Sequence, residues 1–133
     1  MENAPVLVDS NIYIELQRAG IDPARALVPR YGSLDLAICG MVRMEVLRGM
    51  RGDKAIRCFG AFFDVLQNVP ADAKIWDKAA DLGRATAKAG YTVPGPDLVI
   101  AASALRIGAA ILTRDRHFEA MPGVRVIAPP ESW

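Results

Sequence analysis

One histidine, two cysteines and four lysines set the first limits on this 133-residue chain. A single imidazole, His117, excludes the two-histidine acid–base pair of a cyclising ribonuclease and the histidine-rich shell of a zinc hydrolase. Cys39 and Cys58 can form at most one bridge, so neither a disulfide framework nor a four-cysteine zinc site is possible. No apolar run approaches the ~18 residues that cross a bilayer, and the first five residues lack the basic and apolar regions of a signal peptide. The expectation is a soluble, cytoplasmic protein with no membrane partner. An excess of one charge is missing too: 16 basic against 15 acidic residues leave +1, unlike a protein that coats nucleic acid nonspecifically.

What is present is an ordinary globular balance, 52% apolar and 23% charged, at a length that fits one domain over residues 1–133. Twelve of the sixteen cations are arginine, whose planar donor fork suits phosphate and carboxylate. High-GC codon usage gives the same bias, so composition permits a phosphate-handling enzyme without establishing one.

Short apolar runs alternate with helical patterns. Pro5-Val6-Leu7-Val8 reads as a buried strand, and Asp9-Ser10-Asn11 offers three good N-caps for a helix that ends by Gly20. Further helices are expected from Asp22-Pro23 to about Arg30, from Met41 to Arg48, from a cap at Asp53, and from Asp72 to Gly90. Strands are expected at Leu34–Cys39, weakly around Val69, at Ala109–Thr113 and at Val124–Ile127. Residues 91–96, with Pro94-Gly95-Pro96, read as a rigid loop. Residues 97–105 are apolar nearly all round, as in a helix buried on most faces, and residues 115–120 form a short last helix. Such alternation implies a mostly parallel sheet covered on both faces, with ligands bound beyond the carboxyl ends of its strands.

Four acids fall at that edge. Asp9 and Asp115 each follow a strand, while Glu45 and Asp97 lie near helix starts. Each has a bland role open to it: a helix cap for Asp9, Asp97 and Asp115, and an ion pair with Arg48 for Glu45. Together they are harder to dismiss, because gathered carboxylates repel one another unless a cation lies between them. Hard oxygen ligands select Mg²⁺ or Mn²⁺, which points to metal-assisted phosphodiester hydrolysis.

The blocks Val-Asp9-Ser-Asn, Glu45-Val-Leu-Arg-Gly, Pro-Asp97-Leu-Val-Ile-Ala-Ala and Leu-Thr-Arg-Asp115-Arg-His-Phe resemble, in order and over nearly the whole chain, the signatures of PIN-domain nucleases. The resemblance is strongest to the VapC toxins of toxin–antitoxin pairs. It implies a three-layer α/β/α sandwich with a mostly parallel five-stranded sheet, and an acidic pocket of Asp9, Glu45, Asp97 and Asp115. It implies a Mg²⁺-dependent endoribonuclease, with Mn²⁺ as a substitute, held by Asp9, Asp97 and Asp115 while Glu45 reaches the ion through water. A cognate antitoxin, a homodimer and an RNA substrate complete what it implies, with Ser10 at the hydroxyl position that follows the first acid. Where some relatives carry a further acid near position 117, this chain has His117, which leaves a second metal site open.

Arg114 and Arg116 are candidates for RNA contact through phosphate, while Arg43, Arg48 and Arg51 flank the other acid blocks. His117 reads as a partly exposed helix residue. Phe59, Phe62 and Phe63 with Leu66 read first as a core stripe, but three Phe exceed what one stripe needs, so part of this surface, with Phe62, is also a candidate dock for the antitoxin or a second subunit. Cys39 and Cys58 read as small core residues, and Trp76 and Trp133 as surface residues without a role. A phosphoacceptor module would share the strand-end aspartates, but it needs a late lysine and the last here is Lys88. The residues also allow a non-toxic RNA-processing nuclease, or a non-catalytic RNA-binding relative, which usually lacks one of the four acids.

Overall fold

The computed structural model describes residues 4–133, so the opening three residues, part of the stretch considered for a leader, lie outside the described residues. Five strands form one parallel sheet: β1 (Val6–Val8), β2 (Leu36–Cys39), β3 (Gln67–Val69), β4 (Ala110–Leu112) and β5 (Val126–Ile127). Their order is β3-β2-β1-β4-β5, and every neighbouring pair is parallel. Every residue of β1, β2 and β4 is buried, as expected for strands covered on both faces. The covering helices are α1 (Ser10–Arg18), α2 (Pro23–Tyr31), α3 (Gly40–Arg48), α4 (Asp53–Asp64), α5 (Ala73–Lys88) and α6 (Gly95–Arg106). The result is the three-layer α/β/α sandwich the sequence implied.

Helix starts follow local chemistry. Asp22 accepts from the Ala24 and Arg25 amides while Pro23 takes the first helical position, and Asp72 accepts from the Ile75 amide. Three expectations need correction. Asp53 is the first residue of α4, not its cap; Gly52, at φ 87°, holds the cap position. The rigid loop stops at Pro94, because Gly95 and Pro96 enter the first turn of α6, where a missing amide costs nothing. β2 begins at Leu36, and Leu34 is left exposed in the preceding turn.

Of the two aromatic readings the core one holds, and the docking one does not. Phe59, Phe62 and Phe63 are all buried, because Tyr13 of α1 inserts among them. Tyr13 meets all three in edge-on geometry, with Phe63 nearest at 4.9 Å between centroids and 80° between planes. Phe62 is therefore part of the core and offers no docking face. Burial pushes the Tyr13 phenol well above its ordinary pKa, and its hydroxyl has no hydrogen-bond partner among the described residues.

Opposite stability effects follow for two substitutions in this cluster. Phe63→Ala lowers the unfolding free energy by about 3–5 kcal/mol through the cavity it opens. Tyr13→Phe keeps the ring contacts, removes an unsatisfied hydroxyl and raises stability by about 1 kcal/mol. Urea denaturation of the two variants checks both signs.

Candidate active site

The chain runs outward from β1 through β2 to β3, then returns to lay β4 on the other side of β1. β1 is therefore the switch point, and a crevice opens beyond the ends of β1 and β4. Register decides what stands there. Val8 pairs with Leu112, so the next residues outward, Asp9 and Thr113, face each other across the sheet edge. The Asp9 amide donates to the Leu112 carbonyl at 2.9 Å.

Thr113 is the residue that sequence reasoning missed. Its hydroxyl donates to Asp9 Oδ2 at 2.7 Å and accepts from the Asp115 amide at 2.9 Å and from Asn11 Nδ2 at 3.3 Å. A hydroxyl has one proton and two lone pairs, so all of its capacity is committed. The only sequence signal was its place between a strand and Asp115. Asp9 Oδ1 accepts from the Ser10 amide at 2.7 Å. Asp9 is only 6% exposed, and burial is the main reason its carboxyl pKa lies above the ordinary value; the Thr113 and Ser10 hydrogen bonds oppose the shift, and the negative fields of Asp97 and Glu45 add to it.

The other acids connect to this pair. Ser10, nearly buried, donates its hydroxyl to Glu45 Oε1 at 2.8 Å, so its observed contact is with an acid of the cluster. The expected Glu45–Arg48 pair does not form among the described residues. Asp97, in the first turn of α6, and Asp115 are joined by His117. His117 Nε2 lies 2.5 Å from Asp97 Oδ2, and Nδ1 lies 2.5 Å from Asp115 Oδ1. Asp115 Oδ1 also accepts from the His117 amide, closing a 3₁₀ turn over Arg116–Ala120. His117 is partly exposed on this short helix, as expected, and it is tied to both acids, a contact the sequence did not show.

The set that could hold one cation is thus Asp97, Asp115 and His117, whose ligand atoms all lie within 4.8 Å of one another. Asp9 stands beside this set, joined through Thr113, and Glu45 joins Asp9 through Ser10. Opposite ligands of one octahedral ion at ~2.1 Å lie about 4.2 Å apart, so shifts of a few tenths of an ångström would bring these atoms around one small hard cation. The buried, unneutralised Asp9 carboxyl is the second reason the donor set fits a divalent ion.

Two grooves flank the acids. One, of about 430 Å³, is lined by Thr113, Arg114, Asp115, Arg116 and Glu119; the other, of about 600 Å³, by Asn11, Ile14, Glu15, Arg18 and Arg114. Arg114 holds Glu15 with Nε at 2.5 Å and Nη2 at 3.0 Å, and Trp133 Nε1 donates to the same carboxylate at 2.8 Å. Those two donors hold the Glu15 carboxyl below its ordinary pKa. Trp133, with Arg30 stacked 5.7 Å above its ring, therefore ties the chain end to this groove, a role the sequence did not suggest. Arg116 is free by comparison, highly exposed and 3.6 Å from Glu119.

Known proteins share this fold. Residues 6–124 match the PIN domain. The chain belongs to the PIN-domain family. Ribonuclease VapC11 of Mycobacterium tuberculosis is 33% identical over 119 residues, 86% of this chain and 89% of that protein. Ribonuclease VapC4 of the same organism is 31% identical over 126 residues, 91% and 94% of the two chains. In shape, this PIN domain matches a chain of DNA-bound VapBC from Salmonella typhimurium with a TM-score of 0.81 at 20% identity, covering 95% of this chain and 98% of that one. A chain of VapBC2 from Rickettsia felis gives 0.76 at 18%, covering 94% and 98%. At those identities the likeness is one of fold.

Thr113→Val removes the hydroxyl and its three contacts while keeping the volume. Divalent-ion affinity measured by calorimetry should fall by about 10–100-fold. Stability should also change with pH in a stated direction. The folded state binds the Asp9 proton more tightly than the unfolded chain, so without metal its stability falls as pH rises from 3.8 through the raised value. Losing the Thr113 hydrogen bond raises that value further, so thermal melts of Thr113→Val should show the decline extending to higher pH.

Proposed function

We propose that this PIN domain is a Mg²⁺-dependent endoribonuclease and the toxin of a toxin–antitoxin pair. The observation that supports the reading is the junction at Thr113, which joins the Asp9 carboxyl to the Asp115 amide beside the Asp97, Asp115 and His117 set, in a chain whose relatives are named ribonucleases. Asp97 and Asp115, with Asp9 beside them, would hold the ion, and Glu45 would reach it through water. Bound there, Mg²⁺ supplies Lewis acidity toward phosphate and an acidified water as nucleophile. Glu45 is held by Ser10 through Oε1, which leaves Oε2 to take up a proton from an attacking water. Asp9, buried between the Ser10 amide and Thr113, orients the cluster and excludes solvent from its floor.

Arg116 and Arg114 line the groove beside Asp115, where a phosphodiester backbone would be positioned without base-specific contact. Arg116 is the freer of the two; phosphate would have to draw Arg114 from Glu15. Partners follow from the same reading: a cognate antitoxin, since the structural neighbours are chains of VapBC assemblies, and a second copy of this chain. No helix of the described residues is long and apolar enough to cross a membrane, in keeping with action in the cytoplasm, where RNA is found.

Purified protein should cleave RNA with Mg²⁺ and not with a chelator, and Asp97→Asn should reduce the rate by at least about 100-fold. Because water attacks, the ribose 2′-hydroxyl is not used, and end-group analysis should find 5′-phosphate and 3′-hydroxyl termini. Cyclic 2′,3′-phosphates would overturn the mechanism. Arg116→Ala should weaken RNA binding about equally across sequences and lower the salt slope by about 1.

A further inference from the structure

Arg114 stands on the rim between the two grooves, since it lines both. Arg116 lies in the first groove and Arg18 in the second, so Arg114 is the cation that would join them into one basic track beside Asp115. Its guanidinium is already engaged. Glu15 of α1 takes the Nε and Nη2 edge at 2.5 and 3.0 Å, a paired-donor edge of the kind that also suits phosphate. The Glu15 carboxylate is held by a second residue as well. Trp133 Nε1 donates to Oε2 at 2.8 Å, while Arg30 of α2 lies 5.7 Å above the indole and donates to the Ser132 carbonyl at 3.4 Å. Glu15 thus accepts three hydrogen bonds, and the Arg114 and Trp133 donors keep it ionised by lowering its pKa.

We propose that Glu15, braced by Trp133, is a positioning residue that occupies Arg114 in place of substrate, so that an RNA phosphate must displace an internal carboxylate before the two grooves act as one track. The inference rests on the RNA reading above and deepens it, by naming the residue that sets how tightly the backbone is held. The two rim arginines differ in this respect. The Arg116 side chain is 86% exposed with one contact to Glu119 at 3.6 Å, whereas that of Arg114 is 45% exposed and doubly bonded. Arg116 meets phosphate almost unopposed, and Arg114 meets it only in exchange for Glu15. Because the Arg114–Glu15 pair is partly exposed, its grip is modest, and the exchange alters affinity by several-fold and not by orders of magnitude.

The test measures binding of a fluorescein-labelled single-stranded RNA oligonucleotide to the full chain by anisotropy across a NaCl series. Ca²⁺ replaces Mg²⁺, to fill the acidic centre while slowing cleavage. Glu15→Gln keeps the shape of the side chain and removes the charge that holds Arg114. It should tighten binding about three- to fivefold at low salt and steepen the salt slope by about 1, because the freed Arg114 then neutralises a phosphate in full. Deleting any negative charge beside the groove would favour RNA to some degree. The decisive measurement is therefore Glu15→Gln in an Arg114→Ala chain, where most of the gain and the added slope should vanish. Trp133→Phe keeps the ring beneath Arg30 and loses the indole donor, and its affinity should fall between those of wild type and Glu15→Gln. Wild-type affinity in that variant would overturn the part given to the indole. If Glu15→Gln binds no more tightly than wild type, or gains as much without Arg114 as with it, Glu15 does not compete for Arg114 and the inference falls while the RNA reading stands. If the wild type binds no RNA at any salt, that reading fails and takes the inference with it.

Discussion

One hydroxyl sets the geometry of this protein's functional edge. Thr113 is fixed by the register of β4 on β1, and its single proton and two lone pairs are shared among Asp9, Asn11 and the Asp115 amide. Without it, Asp9 would be a carboxyl more than nine-tenths buried with a single backbone donor. A hydrogen bond from a neutral donor to a charged acceptor contributes about 1.5–3 kcal/mol, less than the cost of taking a carboxylate out of water, so the cluster remains electrostatically strained. That strain has a use. Under the proposed function, a divalent ion entering beside Asp9 would relieve the repulsion that adds to its raised carboxyl pKa.

The rest of the molecule is arranged around keeping that edge rigid. Strands buried on both faces fix Asp9 and Thr113, the Tyr13–phenylalanine cluster locks α1 against α4, and the 3₁₀ turn carries His117 on the buried Phe118. Positive charge stays at the rim. Arg114 is tethered by Glu15 and through it to Trp133, while Arg116 projects into solvent. An acidic centre with arginines on its margin would suit the proposed substrate, a polyanion held by its backbone.

Much of this was legible in the chain itself. The alternation of Val6–Val8, Leu36–Cys39 and Ala110–Leu112 with capped helices pointed to the parallel sandwich, and the acids at strand ends and helix starts pointed to a candidate edge, where Asp97, Asp115 and His117 lie together. Backbone-encoded features were readable because periodicity and capping are local. What could not be read were contacts that close only in three dimensions. Thr113 looked like the last residue of a strand, and Phe62 looked like surplus because Tyr13, 49 positions earlier, gave no hint that it would fill the space between the rings. His117 was underread for the same reason: its two partners lie 20 residues away and on the preceding turn, and neither spacing is a ligand motif. Glu45 was offered a neighbour at helical spacing, but the hydroxyl of Ser10, 35 residues away, reached it instead.

The central claim is that these distant side chains meet around one divalent ion. Anomalous diffraction from crystals grown with Mn²⁺ tests it most directly. The account predicts one strong peak at ligand distance, about 2.1–2.3 Å, from carboxylate oxygens of both Asp97 and Asp115, with Asp9 bound directly or through a water. A peak elsewhere on the chain, or none at saturating Mn²⁺, would contradict it.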